Sequence, residues 1–250
     1  MSKELDQYAK LSSRTWARAR LLGEARRHSN DQKRGGSADR GDSRNADVDL
    51  FGAIAEIALL DIIDKNGWTE VADRTRQHLF HHGGGKKVLG PDLILDRSAG
   101  IDAKSFDCSW RQGKQAPYLN KKVAINDNKH RNLKGFCDWY IVLIVPEFGC
   151  QGYFSRAVPY SEFDRLPAAP LKKGLQDSRN FPLEDFQVTQ CNVVPAYGQL
   201  RADCWLEDEV NDLITDHRAR LDLIADLADL RTYLERYPSI GADDTNSAAA

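Results

Sequence analysis

The chain has 250 residues, 41% of them hydrophobic and 29% charged, the composition of a folded globular protein, which excludes a disordered or fibrous one. Its five cysteines, Cys108, Cys137, Cys150, Cys191 and Cys204, include no CxxC pair, which argues against a zinc ribbon or a secreted disulfide framework and for reduced thiols. The longest apolar run, Trp139–Val145, is far shorter than the ~20 residues of a membrane helix, and no apolar signal-peptide core opens the chain, so a soluble cytoplasmic protein is expected.

The net charge of −2 conceals a polarised chain. Residues 1–46 carry 11 basic and 6 acidic side chains, whereas residues 203–250 carry 4 and 12. A polyanionic ligand is therefore not excluded, because local potential governs its capture more than net charge does.

In chain order, residues 3–27 read as an Arg-rich helix with Leu5, Tyr8, Leu11 and Leu22 on one side. A polar stretch from His28 to Ala46 reads as a mobile linker, so 1–46 form a basic N-terminal segment. An apolar helix is predicted from an Asp47 or Asp49 cap to about Lys65. Residues 68–90 give a short strand near Trp68–Ala72, the trio His78, His81 and His82, and a glycine loop at Gly83–Lys87 that lacks the ordered pattern of a nucleotide-binding P-loop. The His trio has helical spacing but no further converging ligand nearby, so a polar loop or nucleic-acid contact is preferred over zinc.

Two alternating segments, Asp92–Asp96 and Ile101–Phe106, flank the turn residues Arg97-Ser98-Ala99-Gly100 and predict a β-hairpin. A basic helix is expected over Leu119–Asn132, a buried strand over Trp139–Val145, a turn at Glu147-Phe148-Gly149, and a partner strand over Gln151–Val158. Residues 159–200, with Pro159, Pro167, Pro170 and Pro182, read as short helices and irregular connections. Leu206–Tyr237 reads as one acidic amphipathic helix ended by Pro238, and 239–250 as a disordered tail. The helix's apolar stripe suits packing on its own sheet or a homodimer contact, with a slight preference for the dimer, because two active sites related by a two-fold axis cut a duplex most simply.

On the predicted hairpin, Asp92 falls opposite the Asp102 and Lys104 pair, within roughly 3–7 Å by strand geometry. Two carboxylates at such range are costly unless a cation joins them or the lysine screens them, and a hard divalent ion with oxygen ligands is the natural occupant. Glu56 is the single charge between Leu50 and Leu60, on a helix apolar all round, so it is expected to be a buried carboxylate that needs a partner or a metal.

These residues carry a resemblance. Pro91-Asp92, then Asp102-Ala103-Lys104 across a turn, preceded by Gly52-Ala53-Ile54-Ala55-Glu56 on a helix, resembles the PD-(D/E)XK nuclease superfamily over about residues 47–158. The resemblance implies an α/β fold with a central mixed β-sheet flanked by helices. Its restriction-endonuclease-like core, of order αβββαβ, would lie within 47–205, with helical additions at the N- and C-termini (206–238).

It further implies a Mg²⁺-dependent endodeoxyribonuclease, with Mn²⁺ able to substitute, of restriction or antiviral-defence type. Asp92, Asp102 and the Ala103 carbonyl would bind the metal, Glu56 would complete its shell directly or through water, and Lys104 would orient or help deprotonate the attacking water. Nucleic-acid contacts are expected from Arg111, Lys121, Lys122, Asn126, Lys129 and His130, and DNA grip from the basic N-terminal segment. Recombination-type exonuclease members often carry Gln-x-x-x-Tyr; Gln115 and Tyr118 are wrongly spaced for it, which favours an endonuclease. The alternatives are a non-cleaving nucleic-acid-binding module of the same fold and an RNA-directed or branched-DNA nuclease with the same chemistry.

Overall fold

A computed structural model describes residues 8–32, 42–65, 91–95, 99–107, 122–154, 157–170, 177–182 and 204–235. The expected strand at Trp68–Ala72, the His78–His82 trio, the glycine loop, Arg97 and Ser98 of the expected turn and the tail from 239 lie outside them, while Ala99 and Gly100 of that turn belong to a strand.

The organising strand is β5 (Trp139–Val145), the continuous apolar run foreseen from sequence. Such a run must be covered on both faces, and it is. Ile141, Leu143 and Val145 join one core cluster and Tyr140, Val142 and Ile144 join the other. On one side β5 pairs in parallel with β3 (Ala99–Asp107), and β3 pairs antiparallel with β2 (Leu93–Leu95), forming the expected hairpin. On the other side lie β6 (Gln151–Phe154) and β1 (Tyr8–Lys10), giving the order β1-β6-β5-β3-β2, with β7 (Val158–Pro159) also on β5. The chain is thus mixed α/β. The expected strand Gln151–Val158 is two strands, because β7 pairs with the start of β5, at Trp139 and Tyr140, whereas β6 pairs further along at Leu143 and Ile144.

Helices α1 (Ser13–Gln32) and α2 (Asp42–Lys65) pack on each other, and α2 packs on β3. Two corrections apply here. Residues 8–10 are strand rather than helix, and the helix starts after Ser12, whose Oγ accepts from the Thr15 amide at 3.1 Å. Both α1 and α2 run further into the 28–46 stretch than the linker reading allowed, α1 to Gln32 and α2 from Asp42. Small residues allow the two helices to approach closely: a Cβ on Gly23 would stand 3.1 Å from the Leu50 backbone nitrogen.

The opposite face of the sheet is covered by elements that the sequence reading did not separate. Lys122–Asn126 is a strand, β4, and helix begins only at α3 (Asp127–Asn132), so Leu119–Asn132 is not one helix. Strand β4 pairs with β9 (Asp177–Pro182), which pairs with β8 (Ala168–Pro170), while α4 (Tyr160–Asp164) packs beside them.

The C-terminal helix is also divided, into α5 (Glu207–Thr215) and α6 (His217–Glu235). Asp216 adopts an extended ψ of 109° and its Oδ1 accepts from the Ala219 amide at 2.9 Å, ending one helix and capping the next. The break resets the helical phase. Val210, Leu223 and Leu227 are buried, whereas Leu221 and Ile224 of the expected stripe stand 52% and 43% exposed. Among the described residues no helix is long and apolar enough to cross a membrane, and Cys137, Cys150 and Cys204 are free thiols.

Candidate active site

Asp102 and Lys104 are set by the β3–β5 register, in which they pair with Tyr140 and Val142. Register partners in parallel strands share a face, so both side chains lie on the face covered by α3, α4 and the small sheet, not on the face covered by α2. The start of β3 is pinned at Gly100, whose amide donates to Asp138 Oδ2 and whose carbonyl accepts from the Asp138 amide, both at 2.7 Å. Only glycine fits there, since a Cβ would lie 1.9 Å from the Phe136 carbonyl oxygen.

Asp92 immediately precedes β2. The hairpin pairs Leu93 with Ile101, and continuing that register by one residue sets Asp92 beside Asp102. Asp92 Oδ2 accepts from the Ala103 amide at 2.9 Å, which fixes the carboxylate across the hairpin, while Oδ1 lies 4.0 Å from Lys129 Nζ. Asp102 is fully buried. Its Oδ1 contacts Lys104 Nζ and its Oδ2 lies 2.7 Å from Lys129 Nζ; neither oxygen accepts a hydrogen bond of regular geometry. Lys104 Nζ also donates to the Ala103 carbonyl at 3.2 Å. Two carboxylates, two ammonium groups and one carbonyl therefore meet at one point. Burial and the neighbouring Lys129 charge hold the Lys104 pKa down to about 7, against the opposing pull of Asp92 and, more weakly, Glu56.

Glu56 is buried, 7% exposed, as its apolar surroundings predicted. The helix α2 that carries it lies against the other face of the sheet, and its carboxylate acts on Lys104 electrostatically. Among the described residues no group of three His, Cys, Asp or Glu side chains is arranged to hold a metal ion. The donors nevertheless suit a hard cation. Asp92, Asp102 and the Ala103 carbonyl supply oxygen ligands, and the sealed oxygens of Asp102 already face positive charge.

The expected nucleic-acid contacts separate. Lys129 turns inward to the carboxylates. Asn126 caps α3, its Oδ1 accepting from the Asn128 and Lys129 amides at 2.9 and 3.2 Å. His130 is fully buried and is corrected to an interior residue. Lys122 lies on β4, while Arg111 and Lys121 lie outside the described residues.

His130 anchors α3. Its Nε2 lies 3.0 Å from Asp164 Oδ1 and its Nδ1 2.9 Å from Tyr140 Oη. Because the carboxylate is an acceptor, Nε2 carries the proton and Nδ1 accepts from the Tyr140 hydroxyl, an assignment made from the network. The imidazole stacks on Tyr160 with ring centres 4.1 Å apart, and the Tyr160 hydroxyl donates to the His130 carbonyl at 2.7 Å. Burial pushes the His130 pKa below its ordinary value, against the opposing pull of Asp164. Arg179 Nε donates to Asp127 Oδ1 at 2.8 Å, and its Nη1 donates to the Phe163, Asp164 and Leu166 carbonyls, tying α3 to α4. Sequence reasoning missed Tyr140, Tyr160, Asp164 and Arg179, and it did not read Asn126 as the helix cap that it is. No family model, curated protein or solved structure matches the chain.

Proposed function

We propose that this protein is a Mg²⁺-dependent endodeoxyribonuclease of the PD-(D/E)XK type, with Mn²⁺ able to substitute. The observation that supports the reading is the meeting of Asp92, Asp102 and Lys104 across the β2–β3 hairpin, with Asp102 sealed from solvent and faced, among the described residues, by the ammonium groups of Lys104 and Lys129. An antiparallel hairpin followed by a parallel strand, with a helix packed on the motif strand, supports the reading, whereas β4, the strand before α3, belongs to the separate β4-β9-β8 sheet.

In this reading Asp92, Asp102 and the Ala103 carbonyl would hold the ion, and Glu56 would complete its shell directly or through water. The bound ion supplies a nucleophilic water near neutral pH and neutralises charge on the phosphoryl group. Lys104 Nζ, with its pKa brought down to about 7, orients that water and exchanges a proton with it, and its positive form stabilises the developing negative charge. Asp92 also orients the ligand set, since its second oxygen is tied to the Ala103 amide.

A non-cleaving nucleic-acid module is the second reading. It is favoured by the balance of Asp92 and Asp102 against Lys104 and Lys129, which neutralises the site without any metal. Incubating plasmid, linear duplex, single-stranded DNA and RNA with Mg²⁺ or with EDTA separates the two. Cleavage of DNA that stops in EDTA and in Asp102→Ala, and falls about 100-fold or more in Lys104→Ala, is expected. Unchanged cutting by Asp102→Ala overturns the mechanism. Binding without cutting in both Mg²⁺ and Mn²⁺ establishes the module.

A further inference from the structure

Resting on the metal-dependent reading above, we infer that Lys129 is an internal competitor for the cation: its ammonium occupies the seat between Asp92 and Asp102, and divalent binding expels it toward the substrate. Lys129 Nζ lies 2.7 Å from Asp102 Oδ2 and 4.0 Å from Asp92 Oδ1, so one ammonium bridges the two carboxylates that would share the ion. Asp102 divides its oxygens between two lysines, Oδ1 to Lys104 and Oδ2 to Lys129. A fully buried carboxylate needs such a counter-charge whenever no metal is present.

Of the two lysines, Lys129 is the one free to leave. Its side chain is 44% exposed against 22% for Lys104, and it projects from α3 on a flexible stem, whereas Lys104 projects from a strand paired on its β5 side along its length. The helix itself stays in place, held by the Asn126 cap, the buried His130 and the Arg179 tie to Asp127. Expulsion therefore needs only side-chain rotation.

The charges point the same way. Asp92 and Asp102 already balance the ammonium groups of Lys104 and Lys129, so an added divalent ion leaves an excess of positive charge that the departure of Lys129 lowers. If Lys129 stayed, the loaded site would carry excess positive charge in a buried place. An expelled Lys129 reaches solvent, where an ammonium suits a phosphate.

Calorimetric titration of Mn²⁺ into the DNA-free protein tests this, with wild type, Lys129→Gln and Lys129→Arg in parallel. Lys129→Gln is expected to bind Mn²⁺ about tenfold tighter than wild type. It should also melt lower without metal, and gain more in melting temperature from Mn²⁺; Lys129→Arg should stay at or below wild-type affinity. On the wild-type protein, acetic anhydride labelling followed by peptide mass analysis should find Lys129 protected without metal and several-fold more reactive with Mn²⁺. Equal or weaker Mn²⁺ binding by Lys129→Gln, or unchanged Lys129 labelling under saturating Mn²⁺, overturns the displacement while leaving the metal site standing. Absence of Mn²⁺ binding in wild type and variant alike removes the metal site and the displacement together.

Discussion

Asp92 turns one carboxylate oxygen to the Ala103 amide and the other toward Lys129, and substitution separates these two duties. Asp92→Ala strips a buried N–H of its acceptor, a loss of about 1–3 kcal/mol. Asp92→Asn keeps a carbonyl oxygen able to accept from the same amide but removes the charge. Urea unfolding should therefore rank Asp92→Ala as clearly less stable than Asp92→Asn, while both lose Mn²⁺ binding and DNA cleavage. Equal destabilisation by the two changes would mean that the amide bond does not hold the hairpin end. The pairing of Asp92 with Asp102 and Lys104 was readable in the sequence because strand alternation across a turn is a short-range rule. The approach of Lys129 was not, because it depends on α3 being placed by Tyr140, Tyr160 and Asp164, residues 10 to 34 positions further along the chain.

At the scale of elements, legibility followed the length of each periodic signal. The seven-residue run of β5 and the alternation around β2–β3 were unambiguous. Strand β4 contributes only Val123 and Ile125 to its core, too few to tell period two from a helical face, and basic neighbours on both sides made it read as helix. Strands β8 and β9 bury Ser178 and Phe181 and carry Pro170 and Pro182, which hide a sheet. The break at Asp216 has neither Gly nor Pro to announce it, and helical spacing continues across it in the sequence.

The short helix α3 depends on His130 rather than on its own propensity, and this gives it a pH response. His130 is neutral when folded, with its pKa below the ordinary 6.5. Its contribution to stability is therefore complete above that value and declines as the pH falls below 6.5 toward the lowered folded pKa. Thermal unfolding of wild type should lose more between pH 7.5 and pH 5 than that of His130→Gln. At pH 7.5 the variant should itself be about 1–3 kcal/mol less stable, because Tyr140 and Asp164 lose a matched partner. Parallel pH profiles for the two proteins would show that folding does not lower the His130 pKa.

Across the whole molecule, the N-terminal and C-terminal helices meet. Arg14 pairs with Asp226, Arg20 Nη1 donates to Asn211 Oδ1 at 2.7 Å, and Arg220 lies 3.6 Å from Glu24, so α1 is sandwiched between α2 and the α5–α6 pair. Such exposed pairs add little, about 0–1 kcal/mol each. The hold on α1 comes from Trp16. It is fully buried, with its ring 6.4 Å from Phe51 and 5.2 Å from Phe148, and its Nε1 donates to the Gly149 carbonyl at 2.8 Å beside the turn between β5 and β6. Trp16→Ala should cost about 3–5 kcal/mol in denaturant unfolding, whereas Asp226→Ala should change stability by less than about 1 kcal/mol. The same geometry tests the DNA-gripping role that its basic charge suggested for the N-terminal segment. Removing residues 1–32 takes away both the outer strand β1 and the helix that covers Phe51, Ile54 and Phe148. The shortened chain should lose cooperative unfolding and bind hydrophobic dye. A soluble, cooperatively unfolding remainder whose sole defect is weaker DNA binding would instead make the segment a separable grip.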